Sequence, residues 1–282
     1  MRPDSLLSAS QRAAFADAGV LVLAGFYDLM RDIEPVQRGI HDVIGQVMAR
    51  HDLADSRSAF VPESFDAGYV DLIRRDRSLG AEIYDAVKQL PTFVRLVAHP
   101  AHERLMRDFR PGCVPGVASG GSGIRIDNPG EDHFRALWHQ EYPAQLRSLD
   151  GIVFWAPLVP VPPELGPVEF CLGSHLDGAQ PVYAGKADDP KRKGAYALSL
   201  KNEEALLAQY TKSAPLTRPG DLVIVDFLTL HASGHNRGER SRWSMQFRYF
   251  NFAEPTGRGH GWKGSFAAGV DFRTVHPELC AD

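Results

Sequence analysis

The sequence predicts an α+β protein that is mainly β: a double-stranded β-helix (a jelly roll of the cupin type) with a supporting helical layer from the N-terminal third. Helical periodicity dominates residues 1–110, and after Pro111 short strand-like runs alternate with turns. Helices followed by strands are typical of a helical layer packed on a mostly antiparallel sheet, and jelly rolls are one such architecture. We therefore expect a single domain over residues 1–282, with its jelly-roll core in residues 111–282.

The N-terminal third of the sequence contains start and stop signals of helices as well as helical periodicity. Ser8 can cap a first helix in "SASQRAAFADAG", and Gly19 stands where that helix would stop. "GVLVLAGF" then predicts a short strand. An amphipathic helix begins around Pro35, and "LGAEIYDAVKQL" and "PTFVRLVAHPAHERLMRDF" predict further helices. The apolar face of the amphipathic helix comprises Ile40, Val43, Ile44 and Val47.

The second part of the chain is predicted to consist of short strands separated by turns. The strand-like runs are "GIRID", "ALWHQEY", "DGIVFWAPLV", "GPVEFCLG", "DLVIVDF" and "RWSMQFRYFNF". A charged stretch near residues 184–210 interrupts them and predicts a loop with a short helix, either a lid or a solvated insertion. "GGSG" at residues 120–123 lacks the strand and helix context of a dinucleotide site, so we interpret it as a flexible turn.

Composition excludes several classes of protein. The net charge of −4 gives no global positive field for nucleic acid or anionic lipid. The N-terminus lacks the apolar segment of a secretory signal, and the apolar runs are too short to cross a bilayer. Three widely spaced cysteines without a CxxC indicate a reducing compartment. We expect a cytoplasmic protein with a small-molecule partner and no nucleic-acid or membrane partner; a homodimer stays open, although no heptad pattern supports one.

A metal site is indicated by three residues that are distant in sequence. His139 and Glu141 lie two positions apart in "ALWHQEYPAQL", and in a strand both side chains would project from the same face. His231 follows the predicted strand "DLVIVDF". Two histidines and one carboxylate form a facial triad that leaves open positions on iron(II). His-x-Glu alone is a weak signal, so the prediction depends on the residues that follow His231.

The last predicted strand favours a site for a diacid. Alternation puts Trp243 and its apolar neighbours on one face and four polar residues on the other. An arginine in a barrel interior is costly without an anionic partner, and a guanidinium can bind a carboxylate through two parallel hydrogen bonds. Arg242 and Ser244 therefore predict a clamp for the far carboxylate of a dicarboxylic acid. The polar face comprises Arg242, Ser244, Gln246 and Arg248, and the apolar face Trp243, Met245, Phe247 and Tyr249.

Several motifs together resemble the phytanoyl-CoA dioxygenase-like family of iron(II) and 2-oxoglutarate-dependent oxygenases. "LSASQRAAFADAGVLVLAGF" resembles its first helix and strand, and "WHQEYP" stands at its first metal motif. "SLDGIVFWAPL" and "GPVEFCLGSH" are similar to its central strands and Gly-Ser-His turn. "PGDLVIVDFLTLHASGHNRGERSRWS" resembles its distal-histidine block, with the arginine eleven positions after the histidine. The resemblance spans most of the chain.

The resemblance implies a cofactor set and roles for four residues outside the triad. Iron(II) would be bound by the triad, with 2-oxoglutarate as cosubstrate and O2 as oxidant; the products are succinate, carbon dioxide and a hydroxylated substrate. Arg242 would hold the C5 carboxylate of 2-oxoglutarate, and Ser233 would touch the cosubstrate. Trp155 would form a wall of the pocket, and Arg125 would assist.

Glu141 departs from the His-x-Asp that the family usually carries. Glutamate is one methylene longer and can still bind iron, so we interpret it as a conservative variant. A halogenase-type site would need a small residue in its place. The variant leaves open a site that binds metal poorly and does no chemistry.

The substrate is predicted by residue chemistry alone. Arginines and amides suit a polar or anionic small molecule, such as a sugar acid, an amino acid or another biosynthetic intermediate, and an acyl-CoA stays open by family analogy. Two alternatives stay open: a metabolite-binding protein without turnover, and a cupin-type isomerase or epimerase. The predicted substrate contacts are Gln140, Tyr142, Arg147, Gln246 and Arg248, with Arg74 and Arg75 of the helical layer.

Other histidines are assigned structural roles. His175 and Asp177 form a His-x-Asp, but His139 is spaced from His231 as the family's layout requires. We interpret His175 as a structural or pocket residue, and a ligand role for His235 is disfavoured by its spacing to Arg242. His99 and His102 have no carboxylate at metal spacing and are interpreted as surface or capping groups.

Overall fold

A computed structural model describes residues 5–118, 120–184, 198–264 and 272–281. Its helices are α1 (Ala9–Ala18), α2 (Glu34–Arg50), α3 (Tyr69–Arg75), α4 (Arg77–Val87), α5 (Pro91–Val97), α6 (Pro100–Phe109), α7 (Tyr142–Gln145), α8 (Glu203–Leu207), α9 (Pro255–Gly259) and α10 (Phe272–Val275). Its strands are β1 (Val20–Leu23), β2 (Pro115–Val117), β3 (Gly123–Asp127), β4 (Ile152–Pro157), β5 (Val168–Cys171), β6 (Val182–Ala184), β7 (Leu198–Leu200), β8 (Lys212–Ser213), β9 (Leu222–Asp226), β10 (His231–Ser233), β11 (Arg242–Asn251) and β12 (Cys280–Ala281). Among the described residues, none of the helices combines the length and apolar composition needed to span a bilayer.

The described strands form mostly antiparallel sheets, which confirms the predicted jelly roll. The main sheet has the order β1-β9-β4-β11-β2, and β3 also pairs with β11. A second sheet has the order β10-β5-β8, and a third has the order β12-β6-β7. The strand β11 lies between β4 on one side and β2 and β3 on the other, so its position is fixed by backbone hydrogen bonds along both edges.

The helical layer packs on one face of the main sheet, as the alternation in β11 predicts. The ring of Trp243 lies 4.8 Å from that of Tyr69, and the ring of Phe247 lies 5.7 Å from that of Phe93. Tyr249 donates a hydrogen bond to the carbonyl of Val97 at 2.9 Å. Because the odd-numbered side chains of β11 face the helices, its even-numbered polar side chains face the interior of the jelly roll.

Local signals account for the helix ends. At the start of α1, the Ser8 hydroxyl accepts a hydrogen bond from the Gln11 backbone, and the Gln11 side chain accepts one from the Ser8 backbone. Gly19 ends this helix with a left-handed φ of 72°. The segment predicted as helix after residue 90 is two helices, because Pro100 cannot continue α5 and instead begins α6.

Removing the cap of α1 is expected to lower the free energy of unfolding by about 1 kcal/mol. The variant Ser8→Ala leaves the backbone N–H of Gln11 without its side-chain partner, and urea unfolding followed by circular dichroism measures the loss. The control is Ser58→Ala, an exposed serine outside any helix or strand, for which we expect a change within about 0.5 kcal/mol. Equal effects of the two variants would contradict the capping role.

Two local predictions were wrong. The segment "ALWHQEY" is not a strand: His139 makes an isolated β-bridge, and Glu141 precedes the short helix α7. Pro143 in the first turn favours a helix start there. His102 is fully buried rather than at the surface, with its ring 4.7 Å from that of Phe154. His102 lies on the same buried side of α6 as the apolar residues Leu105 and Met106. His99 caps that helix, as predicted.

The charged stretch near residues 184–210 is described only in part. Residues 185–197, on which the lid or solvated-loop interpretation depends, lie outside the described residues. Of the remainder, β7 pairs with β6, and α8 is a short helix.

Candidate active site

His139 and His231 are brought together by the backbone. Each donates its N–H to the other's carbonyl at 3.0 Å, in an antiparallel bridge at the start of β10. The two imidazole rings then lie 4.3 Å apart. Glu141 follows two residues later, and ligand atoms of all three side chains lie within 4.8 Å of one another. This is a spacing at which three side chains can share one metal ion.

The hydrogen bonds of the two imidazoles leave the correct nitrogen for a metal. Nδ1 of His139 lies 2.7 Å from the carbonyl oxygen of Leu137, and Nδ1 of His231 lies 2.8 Å from that of Thr229. A carbonyl oxygen can only accept, so Nδ1 carries the proton in both rings. Nε2 is therefore the atom with a free lone pair in each histidine, and this lone pair is available to bind a metal.

The protonation states also fit a metal site. Burial lowers the pKa of both histidines, and with the neighbouring imidazole it brings the pKa of His231 to about 3. Burial alone would raise the pKa of Glu141, but the charge and hydrogen bond of Arg248 and the two imidazoles outweigh it and lower the pKa to about 2. At neutral pH both histidines are thus neutral and Glu141 is anionic. These are the forms that bind a cation.

A cavity of about 600 Å³ opens beside these residues. This volume is in the range of small-molecule sites. Its apolar wall includes Trp138, Val153, Trp155, Phe170 and Val225. Its polar lining includes Lys88, Ser122, Arg125, Gln145, Ser233, Gln246 and Arg248.

Arg242 lies in a buried charge cluster behind the cavity. Its side chain is 1% exposed and donates to Asp127 at 2.7 Å and to Ser233 at 2.9 Å. A further N–H donates to the Gly166 carbonyl. Arg125 also binds Asp127, at 2.6 Å, so one carboxylate is shared by two guanidinium groups. Of the residues predicted to bind the cosubstrate, Arg125, Trp155 and Ser233 line the cavity.

Asp127 was missed in the sequence analysis. Burial would raise the pKa of its carboxyl group, but Arg125 and Arg242 together outweigh burial and lower the pKa to about 2. The signal was present in "GIRID", where Arg125 and Asp127 alternate with apolar residues and share a face. What the sequence did not give is the register that places Asp127 directly opposite Arg242.

The predicted substrate contacts divide into two groups. Gln246 and Arg248 line the cavity. Gln140 instead donates to the carbonyls of Gly178 and Leu228, and the hydroxyl of Tyr142 lies 2.7 Å from Nε2 of His276. Arg147 donates to the Gln145 side chain, and Arg74 and Arg75 are exposed on α3. Among the described residues, the cavity lining does not include these five side chains or Arg242 and Ser244.

Further residues of the cavity were not anticipated from sequence. The "GGSG" segment, interpreted as a turn, lines the cavity over residues 120–123. Tyr84 of α4 and Lys88, which follows the end of α4, also line it. The hydroxyl of Ser122 is buried without a hydrogen-bond partner. The histidines that were assigned structural roles lie elsewhere: His175 contacts the Ala16 carbonyl, and His235 pairs with Asp132.

Comparisons with known proteins agree with this fold. The family model described as phytanoyl-CoA dioxygenase (PhyH) matches residues 15–244. No curated protein matches the chain in sequence. EctD from S. alaskensis, solved with 2-oxoglutarate and 5-hydroxyectoine, has a TM-score of 0.57 and 16% sequence identity, over 96% of this chain and 86% of that one. The epimerase SnoN, solved with Fe3+, α-ketoglutarate and nogalamycin RO, has a TM-score of 0.56 and 17% identity, over 93% of this chain and 91% of that one.

Proposed function

Since the chain belongs to the phytanoyl-CoA dioxygenase family, we propose that it is a non-haem iron(II) and 2-oxoglutarate-dependent dioxygenase that hydroxylates an unactivated C–H bond of a polar or anionic small molecule. The observation that carries the proposal is the group of His139, Glu141 and His231, whose ligand atoms lie within 4.8 Å of one another. Two imidazoles and one carboxylate on one side of a cation leave positions for a cosubstrate and oxygen.

His139, Glu141 and His231 would hold the iron. When bound, iron(II) supplies the activation of O2 that is coupled to the conversion of 2-oxoglutarate to succinate and carbon dioxide. The carbonyls of Leu137 and Thr229 keep both imidazoles in the tautomer that presents Nε2. The apolar wall around Trp155 offers no hydrogen-bonding groups that would hold water beside the metal ligands, apart from the indole N–H groups.

The charge cluster behind the cavity supports a site for the far carboxylate of 2-oxoglutarate. Arg125 and Arg242 carry two positive charges and Asp127 one negative charge, so the three groups have a net charge of +1. Nε of Arg242 and the hydroxyl of Ser244 are buried without hydrogen-bond partners. Buried donors of this kind favour an anionic acceptor. We assign the anchoring role to this cluster, which reaches the cavity through Arg125 and through Ser233, the hydrogen-bond partner of Arg242.

The lining of the cavity supports a polar or anionic substrate. The cavity lining includes a cation, a hydroxyl and an amide, contributed by Lys88 at the end of α4, Ser122 of the "GGSG" segment and Gln246 of β11. These groups bind carboxylates, phosphates and hydroxyl groups better than they bind a hydrocarbon chain. A sugar acid, an amino acid or a related biosynthetic intermediate meets this chemistry.

The test is a turnover assay with iron(II), 2-oxoglutarate and O2, across sugar acids, amino acids and acyl-CoA esters. We expect one succinate for each oxidised product, with the highest rate for a polar or anionic substrate. A protein that binds iron and 2-oxoglutarate but forms no succinate with any substrate would be a binding protein instead. An isomeric product formed without O2 and without 2-oxoglutarate would indicate a cupin-type isomerase.

A further inference from the structure

Arg248 connects the candidate metal ligand Glu141 to the rest of the cavity. Its Nε donates to Oε1 of Glu141 at 2.7 Å, and one of its terminal nitrogens lies 3.3 Å from Oε2. That nitrogen also donates to the Gln246 side chain at 2.8 Å. The other terminal nitrogen donates to the carbonyl of Gly121. The guanidinium therefore meets both oxygens of the carboxylate from one side.

The guanidinium is itself held in place. Arg248 belongs to β11 and lies opposite Val153 of β4 in the register of the sheet. The Gly121 carbonyl and the Gln246 side chain fix its far end. A second contact to the same carboxylate, from the Gln145 amide, is longer, at 3.4 Å. Arg248 is thus the main hydrogen-bond partner of Glu141.

We infer that Arg248 is a positioning residue that orients the Glu141 carboxylate toward the metal. The inference rests on the proposed metal-binding role of Glu141. Glutamate has one more rotatable bond than aspartate, so its carboxylate has more orientations available unless something restrains it. A planar guanidinium bound to both oxygens removes that freedom, which a single hydrogen bond would not do. Arg248, which the sequence predicts as a substrate contact and which lines the cavity, thereby has a role toward Glu141 as well.

Two effects of Arg248 on metal binding have opposite signs. Its charge repels a dication, whereas its hydrogen bonds hold the ligand in place. Loss of a hydrogen-bonding partner behind a metal ligand typically costs 10–100-fold in affinity. We expect the orienting effect to be the larger one, because Glu141 has no partner of equal geometry among the described residues.

The experiment measures the affinity of the full chain for Co(II) alone, by calorimetric titration. Arg248→Gln is expected to weaken binding by about 10–100-fold. Arg248→Lys, which keeps the charge but loses the planar fork, is expected to weaken it to a similar degree. Arg107→Gln removes a positive charge outside the cavity lining, and we expect it to leave the affinity within about twofold because its guanidinium pairs with Glu103 and not with Glu141. Thermal melts of each variant report whether the fold is retained.

A double-mutant cycle separates orientation from a general structural effect. In the Glu141→Asp background the shorter side chain withdraws the carboxylate from Arg248, so Arg248→Gln should cost clearly less than in the wild type. Equal costs in both backgrounds, or unchanged or tighter Co(II) binding by Arg248→Gln, would overturn the inference. No binding of Co(II) by the wild type would instead overturn the proposed function, and this inference with it.

Discussion

Replacing Asp127 with alanine is expected to lower the free energy of unfolding by about 3–5 kcal/mol. The Asp127 side chain is 9% exposed, and its carboxylate lies between the guanidinium groups of Arg125 and Arg242, at 2.6 Å and 2.7 Å. Its removal leaves two cations close together in the interior with no anion between them, which is more costly than the loss of the pair itself. Urea unfolding followed by fluorescence measures the change.

The pH dependence of the stability loss in Asp127→Ala shows whether the charge of the carboxylate causes it. The pKa of Asp127 is lowered from 3.8 to about 2 in the folded protein, so its contribution to stability is complete above pH 4 and is lost as the pH falls through 2. The difference between wild type and Asp127→Ala should therefore shrink in strong acid. The control is Glu103→Ala, which removes an exposed partner of Arg107 and should cost at most about 0.5 kcal/mol. A similar loss of unfolding free energy in both variants at neutral pH would show that the Asp127 cluster contributes no more to stability than an exposed ion pair.

Replacing His231 with alanine is expected to weaken metal binding by more than about 100-fold and to abolish succinate formation. This loss is larger than the 10–100-fold that is typical when only the hydrogen-bonding partner of a metal ligand is removed. The variant removes one of three candidate ligands but keeps the backbone N–H and carbonyl that form the bridge to His139. The fold should thus be retained, and the loss can be assigned to the imidazole. Titration with iron(II) without oxygen, and with Co(II), measures the affinity.

The matched control for this prediction is His175→Ala. His175 begins the other sequence that could bind a metal, His-Leu-Asp at residues 175–177. In the structure its Nε2 lies 3.1 Å from the carbonyl of Ala16. Metal affinity should be unchanged in this variant. If His175→Ala loses the metal and His231→Ala keeps it, the assignment of the site is wrong.

Much of the fold could be predicted because its signals are local. The cap at Ser8 and the stop at Gly19 each act within one helix turn, and they placed α1 correctly. The alternation from Trp243 to Tyr249 assigned one face of β11 to the helical layer. The end signals act through hydrogen bonds and backbone conformation within one turn, and the alternation in β11 has the two-residue period of a strand, so both can be identified from neighbouring residues.

The errors arose where tertiary pairing outweighs the local pattern. "ALWHQEY" has the composition of a strand, but Pro143 begins a helix and His139 pairs with His231 over a single bridge. His102 looked like a surface residue because nothing in sequence showed that its side of α6 faces Phe154. Nor could residue type show that Arg242 meets Asp127, or that Arg248 meets Glu141, since both pairs depend on contacts between segments that are distant in sequence.

The backbone bridge between His139 and His231 has a consequence for how a metal would be taken up. In many small metal-binding domains the ion gathers its ligands and the chain orders around it, so uptake must offset the entropy of folding. Here the isolated backbone bridge and the hydrogen bonds of both Nδ1 atoms hold the centres of the two imidazole rings 4.3 Å apart. The conformational cost of bringing the two imidazoles together is therefore met when the polypeptide folds, before an ion arrives.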